Sequence, residues 1–286
     1  MAKETSHSPE SIEATQAAWN HVAVGYDEFI TPTHFWLGNE GLRRAGLGPG
    51  MKFLDVAAGT GALSIPAARI GAEVLSTDLS PRMLEQLAAR AEKEGLAVET
   101  RVMNGASLEL DDNSFDVAGS QFGVMLFPDM PRGIREMARV VKPGGRVLMT
   151  VFSSPRKVDF FVFFVDALKA VVPGFTGPPE PPLPFQLRDP EKFRRELTQA
   201  GLQDVRLETL VETVEPESGK QLWNWLSNSN PVVGQVLADL KVTDAQIPLI
   251  EEALEGMVRQ RAGGRPRAVL NSEVHIGVGT KPGPTG

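Results

Sequence analysis

The chain reads as an α/β protein built on a doubly wound, mostly parallel sheet. Three observations carry this reading. Phe53-Leu54-Asp55-Val56-Ala57-Ala58-Gly59-Thr60-Gly61 runs as a buried strand straight into a glycine loop. The next apolar run, residues 72–78, ends in the carboxylate of Asp78. From residue 52 to residue 152, short apolar runs alternate with helical patterns, as parallel strands joined by crossover helices do. Right-handed crossovers then place helices on both faces of the sheet.

In chain order, residues 1 to about 10 are polar and expected to fray. Ser11 to His21 reads as a helix, and Leu37 to Ala45 as a second, short one, stopped by Gly46, Gly48, Pro49 and Gly50. Strand one is Lys52 to Val56, followed by a helix from Gly61 to Arg69 that Gly71 ends. Strand two is Glu73 to Thr77. Ser80-Pro81 supplies an N-cap and a proline at the first helical position, opening a helix to about Glu94. Strand three is Val98 to Met103 and strand four Phe115 to Gln121. A helix from Met130 to Val141 meets a Pro143-Gly144-Gly145 turn before strand five, Arg146 to Val151. Then come an aromatic-rich run, Phe160 to Val172, and a Pro/Gly-rich loop, Pro173 to Pro184. Asp189-Pro190 caps a helix to Ala200, and Val205 to Val214 alternates as a strand. A helical stretch from about Glu217 to Arg261 breaks at Asn230-Pro231, and a last strand runs from Glu273 to Val278.

A strand, a glycine turn, a helix and a second strand ending in a carboxylate make a site for a nucleoside-bearing cofactor. The carboxylate of Asp78 can accept from both hydroxyls of a ribose. Asp55 repels a pyrophosphate at short range and suits a ligand whose tail carries an ammonium group. It equally suits a structural role, fixing the loop. Asp55, Asp78, Asn104 and Gln121 all fall at or just after strand ends, where doubly wound sheets bind ligands.

Three longer motifs extend the pattern: Asp78-Leu79-Ser80-Pro81-Arg82-Met83-Leu84, Asn113-Ser114-Phe115-Asp116-Val117, and the run from Arg135 through Lys142-Pro143-Gly144-Gly145. With them, residues 51 to about 152 resemble the class I S-adenosylmethionine-dependent methyltransferases, most closely the branch that includes the ubiquinone/menaquinone C-methyltransferases. The resemblance implies a seven-stranded sheet of order 3-2-1-4-5-7-6 with strand seven antiparallel. It implies S-adenosyl-L-methionine as cofactor, bound by Asp55, Ala57, Gly59, Thr60, Gly61, Asp78, Leu79, Met83, Asn104, Gly105, Ala106 and Gln121. In that family an Asp usually follows strand three and accepts from the adenine amino group. Here the position is Gly105, so Asn104 or a backbone carbonyl is expected to take over, and Gly105→Asp is expected to be tolerated.

The implied reaction is methyl transfer to a small molecule, with an apolar or aromatic acceptor expected under a lid. Residues 1–45 read as a helical cap and 46–286 as the main domain, with insertions at about 157–187 and 217–261. Tyr26 and His34 are the expected polar groups near the methyl group, and His21 and His34 are alike candidates for a general base. Of Trp223 and Trp225, at most one should line a pocket; Phe160 to Phe164 reads first as core or lid packing. A nicotinamide-dependent oxidoreductase and a non-catalytic cofactor-binding protein are the alternatives.

Composition bounds the rest. The chain has 286 residues, a net charge of −7 and 42% hydrophobic residues, which argues against a nucleic-acid footprint. It has no cysteine, so thiolate metal sites and disulfides are out, and its four histidines lack metal-ligand spacing. No segment reaches the roughly 20 apolar residues of a membrane span, and the N-terminus lacks an apolar signal region. A cytoplasmic location follows as the default, with a homodimer left open.

Overall fold

The computed structural model describes residues 9–178 and 183–283. The expected frayed start and the middle of the Pro/Gly-rich loop lie outside the described residues. The strands are β1 (Lys52–Val56), β2 (Glu73–Asp78), β3 (Val98–Val102), β4 (Phe115–Gln121), β5 (Val141–Phe152), β6 (Gln203–Val214) and β7 (Leu270–Thr280). They form one seven-stranded sheet of order β3-β2-β1-β4-β5-β7-β6. β1 through β5 pair in parallel, while β7 runs antiparallel to both neighbours. This is the expected topology. β1 is apolar on both faces because both are covered: Phe53, Leu54 and Val56 are fully buried.

The helices are α1 (Pro9–Gly25), α2 (Thr31–Ala45), α3 (Ser64–Ile70), α4 (Pro81–Lys93), α5 (Met130–Val140), α6 (Asp159–Val171), α7 (Pro190–Gln199), α8 (Gly219–Ser229), α9 (Pro231–Asp239) and α10 (Ile247–Ala262). Caps sit where the sequence puts them. The side chains of Ser80, Asp189 and Asn230 accept the N–H groups of Met83, Glu191 and Val232.

Two large apolar cores result, beside two small clusters around Met83 and Leu87. The main one fills both faces of the sheet and includes Leu37, Leu42 and Ala45 of α2. The second joins Phe163 and Leu168 of α6, Trp223 and Leu226 of α8, Val233 of α9, and Ile250 and Leu254 of α10. It gathers the helix after β5 and the three helices between β6 and β7 into one layer.

One local expectation fails, and one unassigned segment is resolved. The Pro143-Gly144-Gly145 segment is not a turn ahead of β5 but a bulge inside it. The β4–β5 register shifts between Phe115 and Val117, and Gly144 takes φ of 79°. The bulge keeps its hydrogen bonds by pairing with the end of the chain, Gly144 N–H to Lys281 O and Lys281 N–H to Gly145 O, both at 2.9 Å. Residues 22–36, to which the sequence assigned no element, are helical throughout. α1 and α2 are joined by a π-helical turn, Tyr26–Ile30, with the Thr31 N–H bonding to Tyr26 O. Pro32 accounts for the widening: its ring lacks an N–H and crowds the carbonyl one turn back. Asp27 then clamps the turn to α4 through Arg90, which donates to its carboxylate at 2.8 Å and to its carbonyl at 3.0 Å.

Among the described residues no helix is long and apolar enough to cross a membrane, and no group of three His, Cys, Asp or Glu is placed to hold a metal ion.

The α8–α10 contact is backbone on backbone at Gly219, where a Cβ would lie 2.1 Å from Glu255 N. Gly219→Ala is therefore expected to separate the two helices and destabilise the protein by about 1–3 kcal/mol. Urea unfolding checks this, and an unchanged midpoint would contradict the close packing.

Candidate functional site

The sheet reverses direction of winding between β1 and β4, and the carboxyl ends of β1, β2 and β4 open on one crevice. The glycine loop crosses it. Gly61 has φ of 101°, and a Cβ there would lie 3.0 Å from Leu87 and 3.1 Å from Ile65, so only glycine fits. The loop is held from β2. Asp78 Oδ2 accepts the Gly59 N–H at 2.9 Å, and Oδ1 accepts the Ser80 N–H at 2.8 Å. Burial pushes the Asp78 carboxyl above the usual carboxylate range, against the pull of the backbone N–H groups of Ser80, Gly59 and Leu79.

The crevice is a cavity of about 460 Å³. Of the twelve residues expected to bind a cofactor, nine line it: Ala57, Gly59, Asp78, Leu79, Met83, Asn104, Gly105, Ala106 and Gln121. Asp55, Thr60 and Gly61 are not on its wall. Asp55 is 1% exposed and sits behind the loop, accepting from Ser64 Oγ at 2.6 Å. It ties β1 to the start of α3. Burial, partly offset by that Ser64 bond and reinforced by the charge of Asp78, pushes its carboxyl up to about 7. Thr60 is fully buried and shares a short hydroxyl–hydroxyl contact with Thr31 of α2.

At the β3 end, Asn104 Oδ1 is engaged by the Ala106 N–H at 2.9 Å, which fixes the turn. Gly105 explains itself by crowding. A Cβ would lie 2.7 Å from the Phe127 ring and 2.8 Å from Val56. The expectation that Gly105→Asp is tolerated is corrected on that ground: the space an Asp would fill holds Phe127.

α1 roofs the cavity with Ile12, Thr15 and Trp19. Two hydrogen bonds seat it: Gln16 Nε2 to Leu79 O at 2.7 Å, and Ser80 Oγ to Asn20 Oδ1 at 2.7 Å.

A second, more aromatic cavity of about 190 Å³ adjoins the first. The two share Trp19, Tyr26, Phe122 and Leu126 as walls. Phe152 stacks on Phe122 with centroids 4.4 Å apart, and Phe160, Phe161, Phe164 and Trp225 complete the apolar wall. Trp223 is instead buried in the second core, as helix geometry allows for only one of the two. Phe163 joins that core too, so the aromatic run of α6 serves both packing and pocket.

The polar groups of this second cavity are few. His34 of α2 lines it, its Nδ1 2.8 Å from Glu212 Oε1 of β6. Its backbone carbonyl accepts from Gln121 Nε2 at 3.2 Å, while Gln121 Oε1 is buried without a partner. Tyr26 stands between the cavities. Burial, with the charges of Asp78 and Glu212, raises its pKa, so its hydroxyl stays protonated. His21 is exposed and away from both walls. Phe122 holds φ of 59°, a left-handed conformation uncommon for a bulky side chain and frequent at functional sites.

Sequence reasoning missed Trp19, Phe122, Phe127 and Glu212. Trp19 and Glu212 carried no signal, since they meet the site only through tertiary packing. Phe122 follows Gln121 directly at a strand end, and that position was the available clue.

Residues 54–149 match the family model described as a methyltransferase domain. An uncharacterized protein of Mycobacterium tuberculosis is 46% identical over 141 residues, 48% of this chain and 50% of that relative. The chain thus spans about half the length of the first curated relatives it matches. A demethylmenaquinone methyltransferase of Corynebacterium urealyticum is 34% identical over 204 residues, 66% of this chain and 86% of that relative. Among solved structures, the YcgJ protein of a Bacillus shares the fold, with a TM-score of 0.56 at 16% identity over 87% of this chain and 98% of that one.

Two outcomes are expected from the loop geometry. Asp55 has its folded pKa raised above the unfolded value, so the native state binds the extra proton. The stability this gives is fully present below about pH 4 and is lost as pH rises towards about 7. Asp55→Asn should flatten that loss, read as the change in thermal midpoint between pH 5 and pH 8; parallel wild-type and variant curves would contradict it. Gly105→Asp should destabilise the fold by about 1–3 kcal/mol through overpacking, and an unchanged denaturation midpoint would show that Phe127 yields freely.

Proposed function

We infer the reaction from a premise now in hand: the chain belongs to the class I S-adenosylmethionine-dependent methyltransferase family, in the branch with the menaquinone-type enzymes. The reading is methyl transfer from S-adenosylmethionine, held in the larger cavity, to an apolar or aromatic small molecule in the aromatic one. The observation that carries it is the shared wall, because Tyr26 and Phe122 line both cavities. A donor and an acceptor so seated meet across it.

The residues fit the cofactor. Each oxygen of Asp78 accepts one backbone N–H, from Gly59 and from Ser80, and a carboxylate with roughly four acceptor positions keeps capacity for a ribose hydroxyl. The buried, unpartnered Gln121 Oε1 suits the ammonium group of the methionine tail. Asp55, behind the loop, makes no direct contact with the cavity. When bound, S-adenosylmethionine supplies a methyl group already activated by a sulfonium, so little acid–base work is required. The chain's own work is alignment and exclusion of water. Trp19 and the aromatic pair Phe122 and Phe152 keep the junction dry, and Tyr26 offers a protonated hydroxyl at it. His34 is the basic group of the acceptor side.

Residues 9–45 and the helices between β5 and β7 act as the cover in this reading. The aromatic lining supports a planar apolar acceptor, and so does the name of the Corynebacterium relative. The acidic net charge and the small cavities support a small-molecule partner over a nucleic acid.

Calorimetry tests the donor site. S-adenosylmethionine and its demethylated product should bind, and NAD should not. Asp78→Ala removes hydrogen bonds to a charged group worth about 1.5–3 kcal/mol, so affinity should fall more than tenfold. Wild-type affinity in a folded Asp78→Ala protein would contradict the ribose assignment.

A further inference from the structure

We propose that Glu212 is a positioning residue that makes His34 Nε2 the proton acceptor for an aromatic hydroxyl in the second cavity. The proposal rests on the methyl-transfer reading and adds the acceptor class that it left open.

The pair is built from distant elements and shut away from solvent. α2 brings His34 and β6 brings Glu212, with side chains 12% and 4% exposed. A carboxylate only accepts, so the Nδ1 proton points at Glu212 and the lone pair of the neutral ring sits on Nε2. Nε2 has no protein partner among the described residues, while the backbone of His34 is held by Gln121. The imidazole leans on Phe122, centroids 4.9 Å apart at 48°, and Phe122 stacks on Phe152. A planar ring entering that aromatic cavity would bring a ring substituent within reach of the imidazole. The other titratable groups near the pair are Tyr26, its pKa raised by burial and by the charges of Asp78 and Glu212, and Asp78 beyond it. A protonated phenol cannot serve as the base, which leaves His34.

The step balances. The acceptor O–H bond breaks, its electron pair staying on oxygen and its proton moving to Nε2. The acceptor's pair, on oxygen or on the ring carbon conjugated with it, forms the bond to the methyl carbon, and the donor's C–S pair returns to sulfur. For a carbon acceptor the ring hydrogen later leaves as a proton to water. The rival explanation is a tether that only pins α2 to β6. A tether needs no unpaired ring nitrogen and would not ionise a bound phenol.

That difference can be read without cofactor. The full-length wild type, Glu212→Gln and His34→Gln are titrated with 4-nitrophenol, whose phenol and phenolate forms absorb at different wavelengths. In the wild type the bound probe should be phenolate at a pH where the free probe is mainly phenol. Glu212→Gln should still bind it but lower the bound phenolate fraction several-fold, and His34→Gln should abolish the shift. Nitrogen NMR of ¹⁵N-histidine protein should report the Nδ1–H tautomer for His34 in the wild type and a mixture in Glu212→Gln. A probe that stays neutral in the wild type, ionises equally in all three proteins, or fails to bind up to its solubility overturns the proposal. Circular dichroism and S-adenosylmethionine calorimetry confirm that the variants are folded. Wild type that ionises the probe but gives no heat with S-adenosylmethionine would sink the methyl-transfer reading and leave the pair standing.

Discussion

The carboxylate of Asp78 is the fixed point of this molecule. One oxygen holds Gly59 and so the glycine loop; the other holds Ser80 and so the start of α4. Ser80 Oγ caps α4 through the Met83 N–H and bonds Asn20 of α1. Gln16 adds a second bond to Leu79 in the same turn. Loop, helix start and roof are thus fastened to the end of one strand. A buried carboxylate with strong N–H donors has little freedom to move, because leaving any of these partners unmet is costly. The roof over the larger cavity is therefore coupled to the floor.

The charges around that cavity share a sign. Asp78 lies close enough to push the Asp55 carboxyl up, and the charges of Asp78 and Glu212 both raise the pKa of Tyr26. In a dry interior such charges act over longer distances than in water. A cationic ligand relieves this repulsion, whereas a pyrophosphate would add to it. The same reasoning makes the empty-handed protein the more pH-sensitive form, since a bound cation would favour ionised carboxylates.

The first half of the sheet was legible because its signals are local. Apolar runs, Ser80-Pro81, Gly61 and the carboxylate after β2 all act within a few residues of their own position. Strand order beyond that came by resemblance, and β7 bore it out by inserting between β5 and β6. What was illegible is what long-range packing decides. Asp55 looked like a wall residue, yet Ser64 draws it behind the loop. Nothing near Glu212 in an alternating edge strand says that α2 will deliver a histidine to it. Asn104 likewise reads as an open amide until the Ala106 N–H is seen to occupy it.

The π turn at Tyr26–Ile30 sets the phase between two helices that would otherwise be one rod. Each residue of a regular helix advances the side chains by about 100°. The wider turn therefore decides that Trp19 on one side and His34 on the other both look inward. Its length is a setting of angle, not of reach. Losing one residue there would scarcely shorten the segment, but it would rotate α1 relative to α2 and aim Trp19 away from the junction. Single-residue insertions and deletions in this stretch should thus act as changes of specificity, and natural variation in the length of the segment would be a means of retuning which acceptors the enclosure admits.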